Sequence, residues 1–193
     1  MPVADPHRVI LTGENPFLRL SEKDGDPNST DASYWRILFC PAGPGHVLYL
    51  KSELTENKWR IYSDNIAMAR WLQQTVQDML NAELKDTSIP VIDADFSKAG
   101  DPRYYWTEYV SAADAEISLT WHDIGDPLLI HTEPNQAPNP RPYGVCTVLV
   151  PALSGRLTLN GQQARGKPWP RDREGRPFST SALAFSESWT ETR

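Results

Sequence analysis

From residue 34 onward, apolar and polar residues alternate with a period close to two, interrupted once by a period near 3.6. Alternation places apolar side chains on one face of a strand, so the first pattern predicts β-structure and the second an amphipathic helix. "SYWRILFC", "PAGPG" and "HVLYLKS" read as strand, turn and strand, with "KWRIYS" as a third strand. In "DNIAMARWLQQTVQDMLNAELKD", Ile66, Ala69, Leu72, Val76, Met79, Leu80 and Leu84 recur at spacings of three and four. That stripe predicts one long helix over 64–85, of about five to six turns. Ser63 or Asp64 would be its N-cap, and Pro90 bars continuation.

Beyond the helix the period returns to two, through "PVIDADF", "RYYWTEYV", "EISLTWHD", "LLIHTE", "YGVCTVLV", "GRLTLN", "GQQARG" and "TSALAFSESW". "VCTVLV" is almost wholly apolar, the pattern of a strand covered on both faces. Asn160-Gly161 between two such runs predicts a two-residue type I′ hairpin, because both residues tolerate positive φ. Eight or more strands and one helix define a mainly β (α+β) protein. The expected architecture is an antiparallel β-barrel or strongly curved β-sandwich, with the helix over an open face or plugging an end. Residues 1–33 read as an N-terminal arm ending in the loop "SEKDGDPNSTDAS", and 34–193 as a single antiparallel β domain.

At 193 residues the chain can build a core without disulfides or a structural metal. A net charge of −6 argues against general nucleic-acid affinity. The start "MPVADPHRVI" lacks the pattern of a secretory signal, and no apolar run is long enough for a membrane span. Cys40 and Cys146 sit in apolar strand contexts and are expected as unpaired thiols, which points to a cytoplasmic protein. The sequence has no glycine-rich dinucleotide fingerprint, Walker loop, G-x-S-x-G elbow or C-x-x-C. No cofactor and no metal are therefore expected.

Candidate chemistry begins with "LTWHDIGDPLLIHTEP". If Gly125-Asp126 is a two-residue turn, His122 lies opposite Leu129, His131 opposite Thr120 and Glu133 opposite Ser118. Glu116, His122, His131 and Glu133 then share a face, with the histidine Cβ atoms roughly 7 Å apart. A loop one residue longer would put the two histidines on opposite faces. Such a face is either a solvated sheet side or an acid/base patch, with His122 or His131 as base and Glu116 or Glu133 orienting it. The same groups suit a metal, but no ligand spacing supports one.

In "RYYWTEYV", Tyr105 and Tyr109 share one face while Trp106 and Glu108 share the other. With Trp121, these residues would wall either a core or a site for an amphipathic ligand. Glu108 enclosed there would carry a raised pKa and act as an acid. Asp93 and Asp95 share a strand face and read either as a solvated edge or as a carboxylate pair. Arg165, Lys167, Arg171, Arg173 and Arg176 cluster around Trp169, and Arg171 or Arg176 would meet a ligand carboxylate.

Two functions fit. The first is a small-molecule-binding barrel, acting as a cofactor-independent isomerase, lyase or hydratase on an amphipathic, aromatic or sugar-like substrate. The second is a non-catalytic accessory or structural subunit in a homo- or hetero-oligomer. That subunit would dock its partner through the basic Trp169 loop and "EPNQAPNPRPY".

Overall fold

The computed structural model describes residues 8–136, 141–173 and 175–191. Five strands precede a helix: β1 (Val9–Glu14), β2 (Phe17–Leu20), β3 (Thr30–Phe39), β4 (Gly45–Ser52) and β5 (Arg60–Ser63). After it come β6 (Val91–Asp101), β7 (Tyr105–Ala112), β8 (Ala115–Ile124), β9 (Leu128–Thr132) and β10 (Tyr143–Leu159). β11 (Gln162–Gln163), β12 (Pro170–Arg173), β13 (Arg176–Ser179) and β14 (Ser181–Glu191) follow.

β14, β2, β3, β4, β5, β6, β7, β8 and β10 pair in that order, and β10 pairs back to β14. The sheet thus closes into a nine-stranded barrel. Its pairs are antiparallel except β5 with β6, which run parallel from Ile61–Val91 to Ser63–Asp93. The barrel is therefore mixed, where the alternation suggested a wholly antiparallel sheet. The cause is the helix. A parallel neighbour cannot be reached by a tight turn and needs a long crossover, which residues 64–90 provide. Residues 9–33, set apart as an arm by their composition, contribute β2 as a barrel strand and β1 as a ribbon against β14 and β3. Residues 1–7 of that arm lie outside the described residues.

Two apolar layers follow from the period of two. Tyr34, Leu48, Leu50, Tyr62, Val110, Leu119, Trp121, Leu157 and Leu183 belong to the packed barrel interior. The intervening Trp35, Ile37, Val47, Tyr49 and Ile61 face outward, where Met68, Ala69, Leu72 and Val76 of the helix cover them. This explains why "VLYL" of β4 is apolar throughout: both of its faces are buried. The Tyr49 hydroxyl fastens the helix to the barrel wall by donating to the Ala69 carbonyl at 2.6 Å.

The helix is shorter and less regular than its apolar stripe predicted. α1 (Ile66–Leu72) passes into a π-helical turn (Gln73–Gln77) and a last turn, α2 (Asp78–Leu80); Asn81 is extended and Ala82–Lys85 form a 3₁₀ turn. A π turn holds an extra residue, so positions beyond it rotate by about 100° relative to a continuous α-helix. Met79 and Leu80 are accordingly exposed, while Gln73 and Gln77 are buried beside Val76. Gln73 satisfies its amide by donating to the carbonyls of Leu84 and Asp86, at 2.9 and 3.0 Å.

Neither Ser63 nor Asp64 is the N-cap. Asn65 takes that place, its Oδ1 accepting the Met68 N–H at 3.1 Å while its amide donates to the Pro44 carbonyl. Replacing Asn65 by alanine should lower stability by about 1 kcal/mol. Chemical denaturation of the variant would show this as an earlier midpoint at an unchanged slope.

The Asn160-Gly161 hairpin forms as its composition predicts: φ is 51° at Asn160 and 78° at Gly161, with Leu159 opposite Gln162.

Candidate functional site

One end of the barrel interior is polar, and ladder register assembles it. On β3, Tyr34 and Arg36 point inward; Arg36 lies opposite His46 on β4 and beside Glu14 on β1. On the far wall, Lys98 of β6 lies opposite Glu108 of β7. β5 ends at Ser63, short of this level, so His46 meets β6 directly. Its ring stacks on Phe96 with centroids 5.2 Å apart and planes 16° apart. Tyr34 sits against both rings, at 6.4 Å from His46 and 5.9 Å from Phe96.

Asp64, not needed as a helix cap, holds His46 through two contacts. One carboxylate oxygen accepts the His46 backbone N–H at 2.6 Å, and the other lies 2.6 Å from ring Nδ1. A carboxylate at Nδ1 favours the tautomer protonated there and leaves Nε2 as the basic nitrogen. Glu14 pairs with Arg36 at 3.0 Å and lies 4.0 Å from Lys98. Lys98 in turn sits 5.2 Å from the centre of the Trp106 ring.

Glu108 is the buried carboxyl of this cluster. Only 1% exposed, it accepts one hydrogen bond, from Trp106 Nε1 at 2.7 Å. Burial pushes its carboxyl up to about 7, against the opposing pull of Trp106, Tyr34 and Lys98. The Tyr34 hydroxyl faces the carboxyl, but at a geometry that leaves Oε2 without a completed hydrogen bond. Tyr34 is itself shifted upward by burial and by the neighbouring Glu108, so it stays a phenol. A carboxyl that changes charge near neutrality, facing a phenol, can both accept and deliver protons.

Of the residues the sequence singled out, Glu108 and Trp106 lie in this cluster, and Trp121 is deep in the interior beside it. Tyr105 and Tyr109 point the other way, at 49% and 43% exposure on the outer wall. Asp93 and Asp95 are likewise exposed.

The histidine hairpin does not form. β8 and β9 are successive segments along the same edge of β10: Ile124 pairs with Ala152, and Leu128 with Leu149. The chain runs straight through Gly125–Pro127, where the ladder is interrupted because Pro127 and, on β10, Pro151 have no N–H to give. Gly125 bridges it with an N–H to the Pro151 carbonyl, at 2.8 Å. His122 lies opposite Tyr105 and Ser154, and His131 opposite Cys146. At about 3.3 Å per residue, the two histidines stand on the order of 25 Å apart. His131 keeps Glu133, just past the end of β9, at 3.5 Å, and His122 lies 3.8 Å from Asp123.

The basic loop folds back on the barrel. Arg171 pairs with Asp24 at 2.7 Å, Arg165 with Glu22 at 3.2 Å, and Trp169 Nε1 donates to the Ser21 carbonyl. Arg176 is exposed on β13. Residues 137–140 of the proline-rich segment lie outside the described residues. Cys40 is buried and Cys146 half-buried, both unpaired.

Sequence reasoning missed Tyr34, His46 and Asp64. A usable signal existed in the hairpin pairing of "HVLYLKS" with "KWRIYSD", which brings the ends of those segments together. The chain matches no protein-family model and no curated protein. What fold and site define together is a closed, mixed nine-stranded β-barrel with a cluster of titratable side chains at one end. Among the described residues no helix is long and apolar enough to cross a membrane.

Proposed function

We propose that this chain is a cofactor-independent acid/base enzyme, of isomerase, lyase or hydratase type, acting on an amphipathic or aromatic small molecule at the polar end of the barrel. The observation that carries this reading is Glu108: a buried carboxyl poised near neutrality, with one oxygen free of hydrogen bonds. In this reading Glu108 moves the proton and His46, oriented by Asp64, serves as the second group through Nε2. The Tyr34 hydroxyl stabilises developing negative charge on substrate oxygen. Phe96 and Trp106 present apolar faces to the substrate, and Arg36 and Lys98 favour one carrying an acidic group.

Docking through the basic loop is the weaker reading, because Trp169 and Arg171 already have partners within the chain.

Isomerisation and elimination at carbon both begin by removing a C–H proton, so exchange in D₂O tests the proposal without knowledge of the true substrate. Proton NMR of aromatic and aliphatic ketones, hydroxyketones and hydroxyacids should reveal catalysed exchange in at least one compound. Glu108→Gln should slow it by about 10²-fold or more, the usual worth of a general acid or base. His46→Ala should also slow it, with a changed pH profile. No exchange by the wild type, or equal exchange by Glu108→Gln, would overturn the assignment.

A further inference from the structure

A cleft of about 330 Å³ opens on the outside of the barrel, between β2, β3 and the end of the helix, away from Glu108 and His46. Its floor is a chain of hydrogen bonds with a fixed direction. Glu187 is buried, and its Oε1 accepts from Trp189 Nε1 at 2.7 Å and from Asn15 Nδ2 at 3.5 Å. That orients the Asn15 carbonyl toward Ser33, whose hydroxyl donates to it at 3.3 Å. The same Ser33 oxygen accepts from Trp35 Nε1 at 3.0 Å and from Gln77 Nε2 at 3.2 Å. A hydroxyl has one proton and two lone pairs, so Ser33 is saturated. The floor therefore presents a ligand with the second amide hydrogen of Asn15 and the amide oxygen of Gln77. The π-helical turn is what brings Gln77 here, in place of an apolar side chain.

The rim continues the pattern. Asn28 spends its amide on Asp31 at 2.8 Å, which leaves its carbonyl as an acceptor. Asn81 spends its carbonyl on the Glu83 N–H at 3.2 Å, which leaves its NH₂ as a donor. Arg19 and Asp31, 3.4 Å apart, cancel each other's charge. Phe17 and Trp59 add two aromatic rings, the former with the Arg19 guanidinium over it at 5.1 Å and the latter anchored by its indole N–H on Glu83 at 2.8 Å.

Donors and acceptors interleaved around two aromatic rings, with no net charge, match a neutral polyhydroxylated ring. Its hydroxyls both give and take hydrogen bonds, and its C–H face lies on an aromatic surface. The volume falls at the small end of the usual range for ligand clefts, roughly 300–1,000 Å³. We infer that this outer cleft is a binding site for a neutral saccharide of one or two rings.

The test is calorimetric titration of the whole chain with six probes: the methyl glycosides of glucose, galactose and mannose, N-acetylglucosamine, maltose and cellobiose. At least one should bind with a millimolar or tighter Kd. Asn81→Asp keeps the capping oxygen but removes the donor, and Asn28→Ala removes an exposed acceptor. Each should weaken binding about tenfold, the worth of one polar contact to a ligand. No heat from any probe at about 20 mM overturns the inference, since weaker binding has no use for a built cleft. So does saccharide binding that both variants leave unchanged, because it then occurs elsewhere.

Discussion

Replacing Glu108 by glutamine should make the protein more stable at pH 8, by roughly 3 kcal/mol, while changing it little near pH 5. The sign follows from which form burial disfavours. In the folded chain the carboxyl titrates near 7, against 4.5 for an unhindered glutamate. Between those values the native state holds a proton that the unfolded chain has lost. Stability is therefore complete below about pH 4.5 and falls as pH rises through 7, at up to about 1.4 kcal/mol per pH unit. Glutamine has no charge to desolvate, and its side-chain oxygen can still accept from Trp106. Urea denaturation of both proteins at pH 5, 6.5 and 8 should show curves that diverge with pH. Some slope should persist in the variant, because buried Glu187 is shifted in the same direction. Parallel curves, or a variant weaker at pH 8, would mean that the native site already stabilises the carboxylate. A stabilising substitution that also abolishes proton exchange would mark Glu108 as a residue kept at the expense of stability.

Trp121→Ala carries the second large effect, in the opposite direction. Trp121 is fully enclosed in the barrel, opposite Trp106 on β7 and Gly155 on β10, and its indole N–H donates to the Phe17 carbonyl at 3.0 Å. Gly155 shows how tight the packing is: a Cβ there would lie 2.6 Å from Leu18 Cδ1. With so little room to collapse, truncation should cost about 3–5 kcal/mol, lowering the melting temperature by roughly 10 °C. Added indole should recover part of that loss by occupying the cavity, an effect that grows with its concentration. A loss below about 1 kcal/mol would refute the description of Trp121 as a core residue.

What could be read from the sequence was local. The strands around "HVLYLKS", the Asn160-Gly161 turn and the helix position depend on neighbours a few residues away, and all three appear. Glu108 was legible because a carboxylate between Trp106 and Val110 shares their strand face. The histidine pair failed for a specific reason. Gly125-Asp126-Pro127 has turn composition, yet the same residues also suit a strand interruption facing Pro151, and only the partner strand decides between them. Asp64 failed differently. An aspartate just before a helix is ordinarily a cap, and its role beside His46 depends on Asn65 capping in its place. The outer cleft was beyond reach, since a π turn leaves no signature in an apolar stripe that continues past it.

The barrel also has a consequence for how the chain comes together during synthesis. The ring closes where β14 meets β2, and there the Ser181 hydroxyl bonds the Phe17 carbonyl 164 residues away along the chain. Before residues 181–191 leave the ribosome, β2 and β10 each lack a neighbour, and exposed strand edges recruit other chains. Contacts of such separation also form slowly, so the nascent protein must pass through an interval as an open, adhesive sheet. The chain's acidic excess, to which Asp93 and Asp95 on β6 and Glu22, Asp24 and Asp26 between β2 and β3 contribute, would then act as mutual repulsion between neighbouring copies.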